Sequence, residues 1–104
     1  MKLELIIDGE KKIFTTNFVS GRHFRKVMEY DEKIDYSDIG VDETDELIGF
    51  VCDVFDKQFS IDEFYDGIPS NEVISTITDV FVYVRTGKTS EELKKEQSGN
   101  ELGK

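Results

Sequence analysis

The sequence predicts a mainly helical α+β fold: an N-terminal β-hairpin, then about four helices and a disordered C-terminal tail. Three observations favour this class. Two runs rich in β-branched and aromatic residues flank a turn, apolar residues recur at helical spacing through the middle of the chain, and the last stretch is almost entirely polar. With 104 residues in all, residues 1–86 should form a single globular domain and residues 87–104 a flexible charged tail.

The runs LELII and IFTTNFV are predicted to pair as a hairpin. Asp8 and Gly9 lie between them, and such a pair is a strong turn signal because glycine accepts the positive φ that the turn demands. Alternation along the first strand should place Leu3, Leu5 and Ile7 on one buried face.

The first helix is predicted to follow Ser20, a plausible N-cap. Three apolar residues then lie on one side: Phe24, Val27 and Met28. Asp31 falls within the same stripe, so the helix is expected to fade near Tyr30.

The second helix should begin near Asp42 or Thr44, because acidic residues in a first turn complement the helix dipole. Its apolar residues follow at helical spacing: Leu47, Ile48, Val51, Val54 and Phe55. Phe50 lies at the edge of this stripe.

Two further helices are predicted beyond this point. Ser60 and Glu63 have the spacing of a capping box, which would begin a short helix that ends at Gly67. Pro69 and Ser70 should open the last helix. Its stripe comprises Val73, Ile74, Ile77, Val80, Phe81 and Val84. Val82 and Tyr83 form a second apolar area, and the polar tail beyond should hold no more than transient helix around EELKKE.

The charge distribution limits the possible partners. The formal charge is −10, and residues 29–66 carry fourteen acidic and two basic residues, a net charge of −12. This segment would repel a phosphate backbone, which argues against nucleic-acid binding. No apolar run approaches the roughly 20 residues that span a bilayer, and the N-terminus lacks the apolar core of a signal peptide. Cys52 is the only cysteine, so no internal disulfide can form, and a reducing cytosol is expected.

Two local motifs resemble ligand-binding loops. In residues 35–46, Asp35, Gly40 and Glu46 match positions 1, 6 and 12 of a calcium loop, but Ile39 has no side-chain oxygen at position 5. The favoured interpretation is an acidic connection between helices, and a calcium-binding module stays an alternative. The run TGKTS lacks the earlier glycine of a P-loop, so it is interpreted as a helix ending at Gly87.

The sequence offers little for catalysis. His23 is the only histidine, and no G-x-S-x-G motif is present. Cys52 lies beside the apolar stripe of its helix, which favours a buried structural thiol. Abundant carboxylates cannot be assigned as an acid–base pair without a pocket that separates their pKa values. We therefore expect no enzymatic activity, no cofactor and no metal site, and a binding or assembly role instead.

The run DELIGFVCDVFDKQFSIDEFYDGIPSNEVISTITDVF, together with the hairpin LELIIDGEKKIF, resembles the tail assembly chaperones of long-tailed phages and prophages of Gram-positive bacteria. The shared features are an acidic-capped helix ending in VFDKQF, a short helix with FYDGI and a Pro-led amphipathic helix. The resemblance covers about residues 1–86.

The resemblance implies a small, non-enzymatic protein of the host bacterial cytoplasm that binds the tape measure protein and keeps its hydrophobic helices soluble. It also implies homo-oligomers along that partner and departure before the virion is complete. A longer frameshifted form would contact the tail tube protein, and Lys94-Lys95 could be encoded by a slippery run of adenines.

Exposed apolar helix surfaces could take an amphipathic partner helix into a groove. The helices of residues 42–86 are expected to carry more apolar surface than a domain of this size can bury. The candidate contact residues are Phe50, Phe59, Phe64, Tyr65, Val82 and Tyr83, with ordinary core burial favoured for Phe59 and Phe64. The alternative function is a small acidic regulatory protein that binds a host protein by mimicking DNA charge.

Overall fold

The computed structural model describes the backbone of residues 1–102 and the side chains as far as Glu96. It confirms the predicted fold class: an antiparallel two-stranded hairpin is followed by helices. The elements are β1 (Lys2–Ile7), β2 (Glu10–Thr15), α1 (Gly21–Lys33), α2 (Val41–Val54), α3 (Ile61–Gly67), α4 (Val73–Thr86) and α5 (Ser90–Leu102).

The hairpin forms as predicted around its two-residue turn. Asp8 and Gly9 both have positive φ values, 53° and 79°, as a type I′ turn requires. The register pairs Ile7 with Glu10. Leu3 and Leu5 are buried on the inner face of β1, and Ile7 is half-buried beside them, so the predicted shared face is confirmed.

Helix α1 differs from its prediction in length and in exposure. It runs to Lys33, beyond the expected end near Tyr30. Asp31 forms an ion pair with Arg85 of α4, so its charge is not left unpaired against the core and does not end the helix. Val27 is buried, whereas Phe24 and Met28 are 45% and 50% exposed. The helical spacing that places all three on one side of α1 therefore does not bury Phe24 and Met28 fully.

Helix α2 is the centre of the core. It begins at Val41, slightly before the expected start, and its predicted apolar stripe is buried throughout. Phe50, expected at the edge of the stripe, is 3% exposed and packs edge-on against the rings of Tyr30 and Phe81.

The capping box of α3 is present as predicted. The Glu63 backbone N–H donates to Ser60 Oγ at 3.1 Å, and the Ser60 N–H donates to Glu63 Oε1 at 2.9 Å. The helix ends at Gly67, where a Cβ would lie 2.6 Å from the backbone oxygen of Ile6. Glycine is therefore what allows α3 to pack against β1.

Helix α4 closes the core from the other side. A 3-10 turn, Ser70–Glu72, occupies the predicted start, and regular α-helix follows from Val73. The helix ends at Gly87, whose φ of 74° and N–H bond to the Tyr83 carbonyl form the expected left-handed C-cap. Helix α5 then fills part of the segment for which only transient helix was predicted, and the predicted disorder of the final residues lies outside the described part of the chain.

Candidate partner-binding groove

The residues predicted to contact a partner are divided between the core and the surface. Phe50, Phe59 and Phe64 are at most 3% exposed, so their rings stabilise the core and offer no free area. Tyr65 is 37% exposed, and its hydroxyl donates to Asp45. Two further candidates, Val82 and Tyr83, are half-buried on α4.

The helices of residues 42–86 bury more of their apolar surface than the sequence led us to expect. Their main stripes face one another inside the core, and three large apolar side chains of this segment are exposed: Ile61, Tyr65 and Ile74. Much of the remaining apolar exposure lies elsewhere, on Phe18, Phe24, Met28 and Val41. A docking surface in residues 42–86 must therefore be a local opening.

Such an opening lies between α2, α4 and the loop that joins α1 to α2. This α2–α4 groove has a volume of about 310 Å³ and is mostly apolar. It is lined by Tyr36, Ile39, Leu47, Ile74, Ile77, Thr78, Phe81, Val82 and Arg85.

Of the predicted contact residues, Val82 lines this groove. Sequence reasoning missed Tyr36 and Ile39, because they belong to a loop interpreted as polar. It also placed Ile74 in the apolar stripe of the last helix without recognising that this side chain is 54% exposed. The signal that could have indicated this loop is the presence of two large apolar residues among acidic ones, because a connection exposed to solvent along its length does not need them.

A polar cluster of three side chains, which we call the latch, holds the α1–α2 loop against α1 and α4. Arg85 of α4 donates to both oxygens of the Asp31 carboxylate, at 2.8 and 2.7 Å. The Tyr36 hydroxyl donates to the same carboxylate at 2.8 Å, and its ring lies edge-on to Phe81. The latch thus joins α1, α4 and the loop at one end of the groove.

The latch shifts the acid–base properties of its members. The hydrogen bonds that Arg85 donates hold the pKa of Asp31 below its ordinary value of 3.8. The hydrogen bond from Tyr36 and the positive charge of Arg85 lower it further. Burial, followed by the bond to Asp31, raises the pKa of Tyr36 to about 12. At neutral pH the cluster is therefore an ion pair with a neutral phenol.

Replacing Asp31 by asparagine is expected to lower the free energy of unfolding by about 0.5–1 kcal/mol at neutral pH, because a bidentate but half-exposed pair is lost. Since the pKa is lowered in the folded state, the pair stabilises fully above 3.8 and its contribution disappears as the pH falls through the folded value. Urea unfolding at decreasing pH measures this. The matched control is Asp38→Asn in the α1–α2 loop, and an Asp31→Asn deficit that did not change with pH would contradict the latch.

Comparison with known proteins identifies a family. A family model described as "Phage tail chaperone protein" matches residues 1–101. The chain belongs to the phage tail chaperone family. No curated protein and no solved structure matches it.

Family membership confirms the resemblance seen in the helices and aromatic residues of the sequence. The match continues beyond the predicted limit near residue 86 and includes most of α5. Phage tail chaperones are generally not enzymes, and they assist tail assembly. In the described residues of this tail chaperone, no helix is long and apolar enough to cross a membrane.

A second, wider opening of the tail chaperone is less suited to an apolar ligand. Its volume is about 650 Å³, and charged side chains of both signs line it, among them Lys26, Lys57, Glu46 and Asp53. Cys52 also lines it, but burial raises the pKa of this thiol to about 11. The thiolate is therefore scarce at neutral pH, which agrees with a structural and not a reactive cysteine.

The calcium-like window of the tail chaperone adopts another structure. The Asp35 carboxylate accepts hydrogen bonds from the backbone N–H and the hydroxyl of Ser37, which makes a local turn. Helix α2 begins at Val41, inside the window. Among the residues described, no three His, Cys, Asp or Glu side chains are grouped to hold a metal.

Proposed function

We propose that this tail chaperone binds the tape measure protein and keeps its hydrophobic helices soluble during tail morphogenesis. The observation that carries the proposal is the α2–α4 groove, an apolar opening beside an otherwise well-covered core. A groove between two helices is a common docking site for an amphipathic helix. A protein of the tail chaperone family with such a site is suited to cover apolar helical segments before assembly.

The charge of the chain supports the solubilising role. A net charge of −10 on 104 residues disfavours self-aggregation through electrostatic repulsion. A complex with a hydrophobic partner would retain much of this charge, because most acidic side chains are exposed and lie outside the groove lining.

We also propose that copies of the chain oligomerise along the tape measure protein in the host cytoplasm and leave before the virion is mature. The exposed apolar side chains of α1, Phe24 and Met28, support a further contact surface. A longer form that contacts the tail tube protein would require a heptameric slip site among the last codons, near Lys94-Lys95, and sequencing the gene tests this.

Co-expression tests the main proposal. When the adjacent tape measure gene is expressed with this chain, we expect the tape measure protein to move from the insoluble to the soluble fraction and to co-purify with the chain. The control is co-expression with an unrelated acidic protein of similar size and charge. Equal precipitation of the tape measure protein in both cases would overturn the proposal.

The DNA-mimic alternative stays a prediction. Family membership favours a role in tail assembly instead. Recovery of a host DNA-binding protein in a pull-down, together with a failed co-expression test, would favour the alternative.

A further inference from the structure

We infer that the α2–α4 groove selects a partner helix that has a short apolar stripe and a basic flank on the side of the α1–α2 loop. This inference rests on the proposed function and specifies the kind of segment that the groove accepts. It follows from the length of the row of apolar side chains that α4 contributes to the groove and from the charges beside that groove.

One side of the groove is formed by a row of apolar side chains along α4, which we call the ridge. Ile74, Ile77 and Phe81 are spaced by three and four residues and therefore lie on one helix face, with Val82 beside them. From Ile74 to Arg85 this ridge is roughly 16 Å long at 1.5 Å per residue. An occupant would therefore present about three turns, with apolar residues at i, i+3 or i+4, and i+7.

Some of the side chains that line the groove are buried within the domain, and others are exposed to solvent. Leu47 and Ile77 are almost fully buried, whereas Ile74 is 54% and Tyr36 43% exposed. A docked side chain would rest on the buried pair and cover the exposed pair. Burial of apolar area in this way is the main favourable contribution that the groove can offer.

The charges at the edge of the groove are unequal. Arg85 is the cation that lines it, and both carboxylate oxygens of Asp31 already accept hydrogen bonds from this guanidinium. On the loop, Asp35 and Asp38 directly precede the lining residues Tyr36 and Ile39. Neither aspartate takes part in an ion pair within the described part of the chain.

The α1–α2 loop, residues 34–40, supplies Tyr36 and Ile39 to the lining and carries two aspartates and no basic residue, so this loop, which we call the rim, has a net negative charge beside the groove. A lysine or arginine on the adjacent flank of a docked helix would be attracted to this rim, and a glutamate there would be repelled. The attraction is between solvent-exposed charges, so it should adjust affinity and decline with salt without replacing the apolar contact.

Helix α1 of a second copy has related chemistry, since it exposes Phe24 and Met28 beside Arg25. These two apolar side chains are four residues apart and span roughly 6 Å, much less than the ridge of the groove. A longer helix on a partner protein fits the groove better, and self-association through α1 is an alternative result of the experiment below.

The test uses two synthetic helical peptides that share one apolar stripe on an alanine background. One carries lysine along the flank, and the other carries glutamate at the same positions. Fluorescence anisotropy with the full chain should show the lysine peptide binding about three- to tenfold more tightly at low salt. The Asp35→Asn/Asp38→Asn variant should reduce this preference to about twofold or less.

A matched variant separates the rim from the overall negative charge of the protein. Asp62→Asn/Asp66→Asn removes two exposed carboxylates from α3 and should keep most of the preference. Equal binding of both peptides, or an equal loss of preference in the two double variants, would overturn the inference. So would self-association that Ile74→Gln abolishes while neither peptide binds, because the occupant would then be a second copy.

The co-expression experiment distinguishes the two proposals. If the tape measure protein is solubilised but the peptides show no charge preference, the inference fails and the proposed function stands. If the lysine peptide is preferred but the tape measure protein still precipitates, the groove has the predicted selectivity and the proposed function fails.

Discussion

The Ile74→Gln variant is expected to lose affinity for the partner by about tenfold or more, with a matching loss of soluble tape measure protein on co-expression. Ile74 lies on the open side of the α2–α4 groove, where its side chain is 54% exposed and available for contact. Glutamine is of similar size and suits a helix, but its amide would lose hydrogen bonds to water when a partner covers it. Co-purification yield and binding of the lysine peptide both measure the effect.

Ile13→Gln is the matched control for this variant. Ile13 is 63% exposed on β2 and does not line the groove. The chemical change is the same, so partner binding should remain within about twofold of the unmodified chain. Equal losses in the two variants would show that general surface hydrophobicity, and not the groove, binds the partner.

The Phe64→Ala variant is expected to lower the free energy of unfolding by about 3–5 kcal/mol. Phe64 is fully buried, and its ring packs near those of Phe59 and Tyr65. Removing the ring leaves a cavity between α3 and its neighbours that the surrounding side chains can fill only partly. Because small domains are stable by only about 5–15 kcal/mol, the loss should be plain in urea unfolding.

Phe18→Ala provides the control for this variant. Phe18 is 78% exposed, so the same truncation should change the free energy of unfolding by no more than about 0.5 kcal/mol. A Phe64→Ala variant as stable as Phe18→Ala would contradict the placement of Phe64 in the core. It would also restore Phe64 as a candidate contact residue.

Features that depend on near neighbours in the chain were predictable from the sequence. The Asp8-Gly9 turn, the Ser60–Glu63 capping box and the helix end at Gly87 all form as expected. Each is determined by the backbone preferences or hydrogen bonds of residues within about four positions of one another. The helical spacing of α2 likewise identified its buried residues correctly.

Features that depend on distant residues were not predictable. Asp31 was expected to end α1, but Arg85, 54 residues later, gives it a partner. Phe24 and Met28 have the spacing of core residues, yet no described element covers them fully. Periodicity shows which side chains share a helix face, but it does not show which faces another element covers.

The sequence alone therefore determined the hairpin, the existence of helices α1 to α4, the acidic charge and the family resemblance, because local backbone chemistry, composition and motifs carry these properties. The tertiary structure alone decided that Phe50 lies fully in the core and that Ile74 and Val82 line an open groove. The physical reason is that burial is a relation between elements. It depends on how α2, α4 and the α1–α2 loop pack, and no short stretch of sequence contains that packing.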